Sequence, residues 1–113
     1  MNIKILSLSK NEDFKNLLGG KKISGKYITI FFKKLKKKHN KKLSISFVTK
    51  RKLGNAVIRN KIKRRLKNIM SQALKKININ LEYSYLFLAK KNVFDHKYNL
   101  IKENIFKDLK KIK

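Results

Sequence analysis

Ile58, Ile62, Leu66, Ile69 and Ala73 recur at intervals of three or four residues. At about 100° per residue they fall within roughly a quarter of the circumference of an α-helix, the stripe of a helix laid against a core. Gly54 permits a sharp turn into this segment, and Asn55 carries a side-chain oxygen that can accept an orphan N–H of the first helical turn. A helix beginning near Ala56 is expected, and the rest of the chain has to supply the layer that it covers. Arg59, Asn60, Lys61, Lys63, Arg64, Arg65 and Lys67 occupy the remaining circumference.

Those charges are placed against the interest of the helix. Nine of the eighteen residues from Lys50 to Lys67 are Lys or Arg, and no Asp or Glu occurs between Asp13 and Glu82. Cations near a helix N-terminus oppose its dipole. Arg59/Lys63, Lys63/Lys67 and Lys61/Arg65 are like-charge i,i+4 pairs, each unfavourable by roughly 0.2–0.5 kcal/mol. Relief from an external polyanion is the economical reading. A compositional bias toward Lys, Asn and Ile accounts for the lysine-rich tails, but poorly for Arg59, Arg64, Arg65 and Arg51, which are the only arginines in the chain.

The run Gly54-Asn55-Ala56-Val57-Ile58-Arg59-Asn60-Lys61-Ile62-Lys63-Arg64 resembles the signature of the protein subunit of bacterial ribonuclease P, built around an Arg-Asn-Arg core. Lys61 stands where that family usually has its second arginine, and Lys67 where it often has another; lysine keeps the charge and loses the planar fork that grips phosphate bidentately. The resemblance extends more weakly from about Asn11 to Lys110. It implies a protein cofactor that joins one catalytic RNA and promotes removal of the 5′ leader from precursor tRNA. Hydrolysis would be carried out by Mg²⁺ held mainly by that RNA. Arg59, Asn60, Lys61, Lys63 and Arg64 would contact the RNA, within a surface that includes Arg51, Lys52, Asn55 and Lys67. The protein itself would be a monomer.

Before this helix, Ser9 and Glu12 stand as a possible capping box, and Phe14, Leu17 and Leu18 recur at helical spacing until Gly19-Gly20. By spacing, Phe14 is either a core residue or an aromatic platform for an unstacked base. The resemblance places it in a cleft that holds the single-stranded leader, with Leu18 where the family often has a second aromatic. Met1 to Leu8 reads as a weakly held extended arm. Lys22–Ser24, Lys26–Leu35 and Leu43–Thr49 have strand character, with a lysine-rich hairpin loop between the last two. Leu43, Ile45, Phe47 and Thr49 form the core face of their strand. Lys26–Leu35 is apolar on both faces, so it is either buried on both sides or lines the cleft with one; the resemblance favours the Ile28, Ile30 and Phe32 face, making Ile30 a cleft residue.

Tyr83–Ala89 is a continuous apolar run of strand length, suggesting an interior strand, and Tyr98, Ile101, Ile105, Leu109 and Ile112 define a C-terminal helix. The order is αβββαβα, an α+β two-layer sandwich with a four-stranded mixed sheet. The strand–helix–strand crossover from Leu43 to Ala89 would be right-handed by the general rule and left-handed by the resemblance, as in the fourth domain of elongation factor G.

The 113 residues make one domain. A net charge of +26 exceeds what solubility needs and points to nucleic acid or an anionic membrane. The strand patterns speak against a cationic membrane-surface protein, which would need a strongly apolar helix face in an otherwise unstructured chain. There is no apolar run of eighteen residues, no secretion signal in MNIKILSLSKNED and no cysteine, so a cytoplasmic protein is expected. The acids are scattered singly apart from Glu12-Asp13, and His39 and His96 lie outside any metal-ligand spacing. Protein side chains are therefore not expected to perform the cleavage. A ribosomal or general RNA-chaperone protein would share the charge but not the Gly54–Arg64 spacing.

Overall fold

The computed structural model describes residues 4–7, 17–34 and 42–112. Gly54 adopts φ 147°, in the left-handed region that glycine tolerates, and the Asn55 side chain accepts the Ile58 N–H at 3.0 Å. Helix α1 then runs Ala56–Lys76. Its apolar stripe is buried as expected: Ile62, Leu66, Ile69 and Ala73 have no exposed surface, Met70 joins them, and Ile58 is half-buried at the edge. A single 3-10 turn, Arg51–Leu53, precedes the cap.

The strands are β1 (Lys4–Ser7), β2 (Lys21–Ser24), β3 (Ile28–Lys34), β4 (Lys42–Val48) and β5 (Tyr83–Ala89), in the order β1-β4-β5-β3-β2. The four expected strands form the mixed sheet. Strands β4 and β5 are adjacent and parallel, bridged by α1, and β3 pairs antiparallel with both β5 and β2. The expected free arm adds a fifth strand, because β1 pairs in parallel with the outer edge of β4, Ile5 opposite Leu43. Four residues cannot announce such a strand alone; its partner edge supplies the hydrogen bonds. A short helix α2 (Asn92–Asp95) and the helix α3 (Tyr98–Lys110) complete the chain.

The core lies between one sheet face and helices α1 and α3. Ile28, Ile30 and Phe32 of β3, Leu43 and Ile45 of β4, and Tyr85 and Phe87 of β5 meet the α1 stripe and Ile101, Ile105 and Leu109 of α3. Strand β5 sits in the middle, as its uninterrupted apolar run requires. Leu17 and Leu86 are also buried but stand outside this cluster, Leu86 on the second side of the sheet. The Tyr27 hydroxyl and His96 Nδ1 are hydrogen-bonded at 2.8 Å, tying the α2–α3 connection to the start of β3. No helix among the described residues is long and apolar enough to cross a membrane.

Asp108 is the buried acid of α3. Its carboxylate lies so close to Gly25 that a Cβ there would overlap it, and its Oδ2 has no hydrogen-bond partner. Burial raises the carboxyl pKa above its ordinary 3.8, opposed in part by Lys111, 3.8 Å away, and by Lys90. The folded chain thus holds this proton more tightly than the unfolded chain does. The group's favourable contribution is complete below the ordinary value and is lost as pH rises through the folded one. Asp108→Asn will therefore flatten the decline in stability from acid toward neutral pH, measured by urea unfolding at a series of pH values. A variant that reproduces the parent's pH profile contradicts this account.

Candidate nucleic-acid interface

Helix α1 buries one stripe and exposes most of its cations. Asn60, Lys61, Lys63, Arg64 and Lys67 are exposed, as are Asn55 and, in the preceding turn, Arg51 and Lys52; Arg59 is half-buried. The parallel pairing of β4 and β5 brings the C-terminal ends of both strands to the end of the sheet where α1 begins. None of the described acids stands on α1 or in the turn before it, so these charges are not neutralised within their own element.

Arg65 departs from the rest. Its Nη1 donates to the carbonyls of Val93 and His96, both at 3.1 Å, and more weakly to that of Phe94 at 3.4 Å. This guanidinium is spent on holding α2, so the arginine cluster of the sequence is divided between fold and surface. One signal was available: Arg65 lies seven residues after Ile58, on the same edge of the buried stripe.

A groove of about 510 Å³ runs over the strand ends, lined by Leu18, Val48, Thr49, Leu86, Leu88 and, from α1, Lys63. Lys50 belongs to it and also to a neighbouring depression of about 470 Å³ that contains Lys52, Lys90 and Lys91. An apolar floor therefore leads into a lysine-rich margin. Leu18, expected as a cleft residue, lines this groove and is 54 % exposed. Phe14 falls outside the described residues.

The expectation for Ile30 is corrected. It has no exposed surface and packs in the main core with Ile28 and Phe32. The register explains the reversal. Ile30 pairs with Phe87 and Ile28 with Ala89, on the face that meets the helices, whereas Thr29 and Phe31 pair with Leu88 and Leu86 on the groove side. With both faces of β3 apolar, its sequence could not choose between them; pairing with β5 does.

Not all the candidate cations share one side. Lys63 reaches the groove, while Lys61 and Arg64 stand on the other flank of α1, beside Phe94 and Tyr98. Burial raises the Tyr98 hydroxyl pKa, with Arg65 opposing the shift.

This arrangement of a capped basic helix, parallel strand ends and an apolar groove coincides with a match to the ribonuclease P family model over residues 4–113. The chain belongs to the ribonuclease P protein family. The ribonuclease P protein component of Fusobacterium nucleatum is 34% identical, the match covering 94% of this chain and 92% of that one. The component from Carboxydothermus hydrogenoformans is 31% identical over 94% and 90%. Among solved structures, the ribonuclease P protein of Staphylococcus aureus superposes with a TM-score of 0.79 at 26% identity, covering 95% of this chain and 94% of that one. That of Thermotoga maritima gives a TM-score of 0.79 at 24% identity over 96% and 98%, a likeness of fold. As a ribonuclease P protein, the chain is a component of a tRNA-processing endoribonuclease.

Proposed function

We propose that the chain joins the catalytic RNA of ribonuclease P as a single protein subunit and that the RNA performs the cleavage. The observation that carries this reading is the exposed cationic face of α1, with Lys61, Lys63, Arg64 and Lys67 free of acids on their own helix. Phosphates brought against that face release counterions, which supplies affinity and makes it steeply salt-dependent. Arg51, Lys52, Asn55 and Asn60, exposed around it, would extend the contact to the turn before the helix.

The groove would hold the single-stranded 5′ leader of precursor tRNA. Leu18 and Leu88 offer apolar contact to bases, and Lys50, Lys52 and Lys91 offer charge to the backbone. Precursor would then bind better than mature tRNA, which has no leader to fill the groove.

Among the described residues, no three His, Asp or Glu side chains come together in a way that could hold a metal ion. We assign the Mg²⁺ of the reaction to RNA phosphates. The chain's contribution is to hold two polyanions beside each other by neutralising their repulsion. Cytoplasmic location and a monomeric free protein fit this role.

The test is reconstitution with ribonuclease P RNA at low Mg²⁺, scoring cleavage of precursor tRNA. Adding the chain is expected to raise 5′ processing severalfold, and the chain alone is expected to process nothing. RNA-driven trimming that is the same with and without the chain would falsify the proposal, as would cleavage at the mature 5′ end by RNA-free protein.

A further inference from the structure

On the flank of α1 turned away from the groove lies a second depression, of about 320 Å³. Lys61, Arg64, Arg65 and Asn68 of α1 form one wall, and Phe94 and Tyr98 form the other. Lys61 and Lys63 are two positions apart, so they project about 160° from each other around the helix axis. The depression is thus separate from the leader groove. Its lining contains two rings, three cations and an amide, and no acid.

Two of these side chains are fixed before any ligand arrives. Arg65 is held by the carbonyls of α2 and its exit, and the Tyr98 hydroxyl accepts a hydrogen bond from Gln72 Nε2 at 3.1 Å. Lys61 and Arg64 are exposed and project from the same helix one turn apart. A ring face offers stacking to any base, an ammonium or guanidinium beside it takes the attached phosphate, and a carboxamide supplies both donor and acceptor to a base edge. The volume suits one nucleotide and is small for anything larger.

We propose that this depression seats a single unpaired nucleotide of RNA, its base against Tyr98 and Phe94, its phosphate on Lys61 and Arg64, and its base edge toward Asn68. The inference rests on the reading that the chain joins the catalytic RNA. The nucleotide comes either from that RNA or from the tRNA part of the substrate, and the two sources are separable.

The experiment compares the parent chain with Tyr98→Leu, Tyr98→Phe and the double variant Lys61→Gln/Arg64→Gln. Affinity is measured for ribonuclease P RNA alone, and then for precursor tRNA binding to the assembled complex. Tyr98→Leu is expected to weaken binding by about 5- to 160-fold, the range for losing one base stack, whereas Tyr98→Phe retains near-parent affinity. A loss already present with ribonuclease P RNA alone identifies that RNA as the source; a loss confined to the precursor step identifies the substrate. The double variant changes exposed residues, so it reports even if Tyr98→Leu does not fold, and it should weaken the same step and flatten its salt dependence. Leucine and glutamine variants that fold and match the parent at both steps overturn the inference while the parent's own binding stands. Failure of the parent to bind ribonuclease P RNA overturns both this inference and the function on which it rests.

Discussion

Replacing Arg59 and Lys63 together with alanine will weaken binding to ribonuclease P RNA by about 25- to 60-fold at 0.1 M salt. The plot of log affinity against log salt will become shallower by about 1.4 to 1.8, the value for two lost phosphate contacts. The two side chains are i,i+4 neighbours in the first half of α1, where their mutual repulsion disfavours both and the helix dipole opposes Arg59. Arg59 also buries its Nε without a hydrogen-bond partner. Removing both should leave the free protein as stable as before, or more so, even though some aliphatic packing of the Arg59 stem is lost. The expected signature is affinity falling while thermal stability holds. A slope that stays at the parent value contradicts phosphate contact by this pair.

Arg65→Ala should have the opposite effect, costing about 2–3 kcal/mol of folding stability. Its Nη1 carries two hydrogens and serves the carbonyls of Val93 and His96, the Phe94 carbonyl sharing one of them at longer range. Alanine leaves those part-buried acceptors unsatisfied, and it is this loss rather than the bonds' own net strength that sets the cost. Lysine at the same position should restore only part of it, since its single ammonium lacks the planar spread of the guanidinium. Urea unfolding measures the change. A loss below about 0.5 kcal/mol would show that α2 is held by its other contacts.

The contrast between these two sites shows where the sequence was legible. The cap at Asn55, the turn at Gly54, the buried stripe of α1 and the central position of β5 all follow from local pattern, because each is a demand that a short run of residues makes by itself. The features that escaped depend on partners distant in the chain. The fate of Arg65 is decided by carbonyls 28 to 31 residues away. Ile30 faces the core because Phe87 pairs with it, and β1 is a strand because the edge of β4 accepts it. Tyr98 reads in sequence as the first apolar residue of α3, and only the fold shows that Phe94 and the cations of α1 meet it at the surface. The basic signature was recognisable as a surface, but its division into two flanks was not.

Helix α1 is at once the roof of the hydrophobic core and the platform for the cations, with no hinge between the two tasks. Adding or deleting one residue between Ala56 and Ala73 would turn everything downstream by about 100°, carrying lysines toward the sheet and isoleucines toward solvent. Point changes on either side are separately tolerable, whereas a change of length is not. Evolution can therefore retune this segment letter by letter but cannot stretch or shorten it.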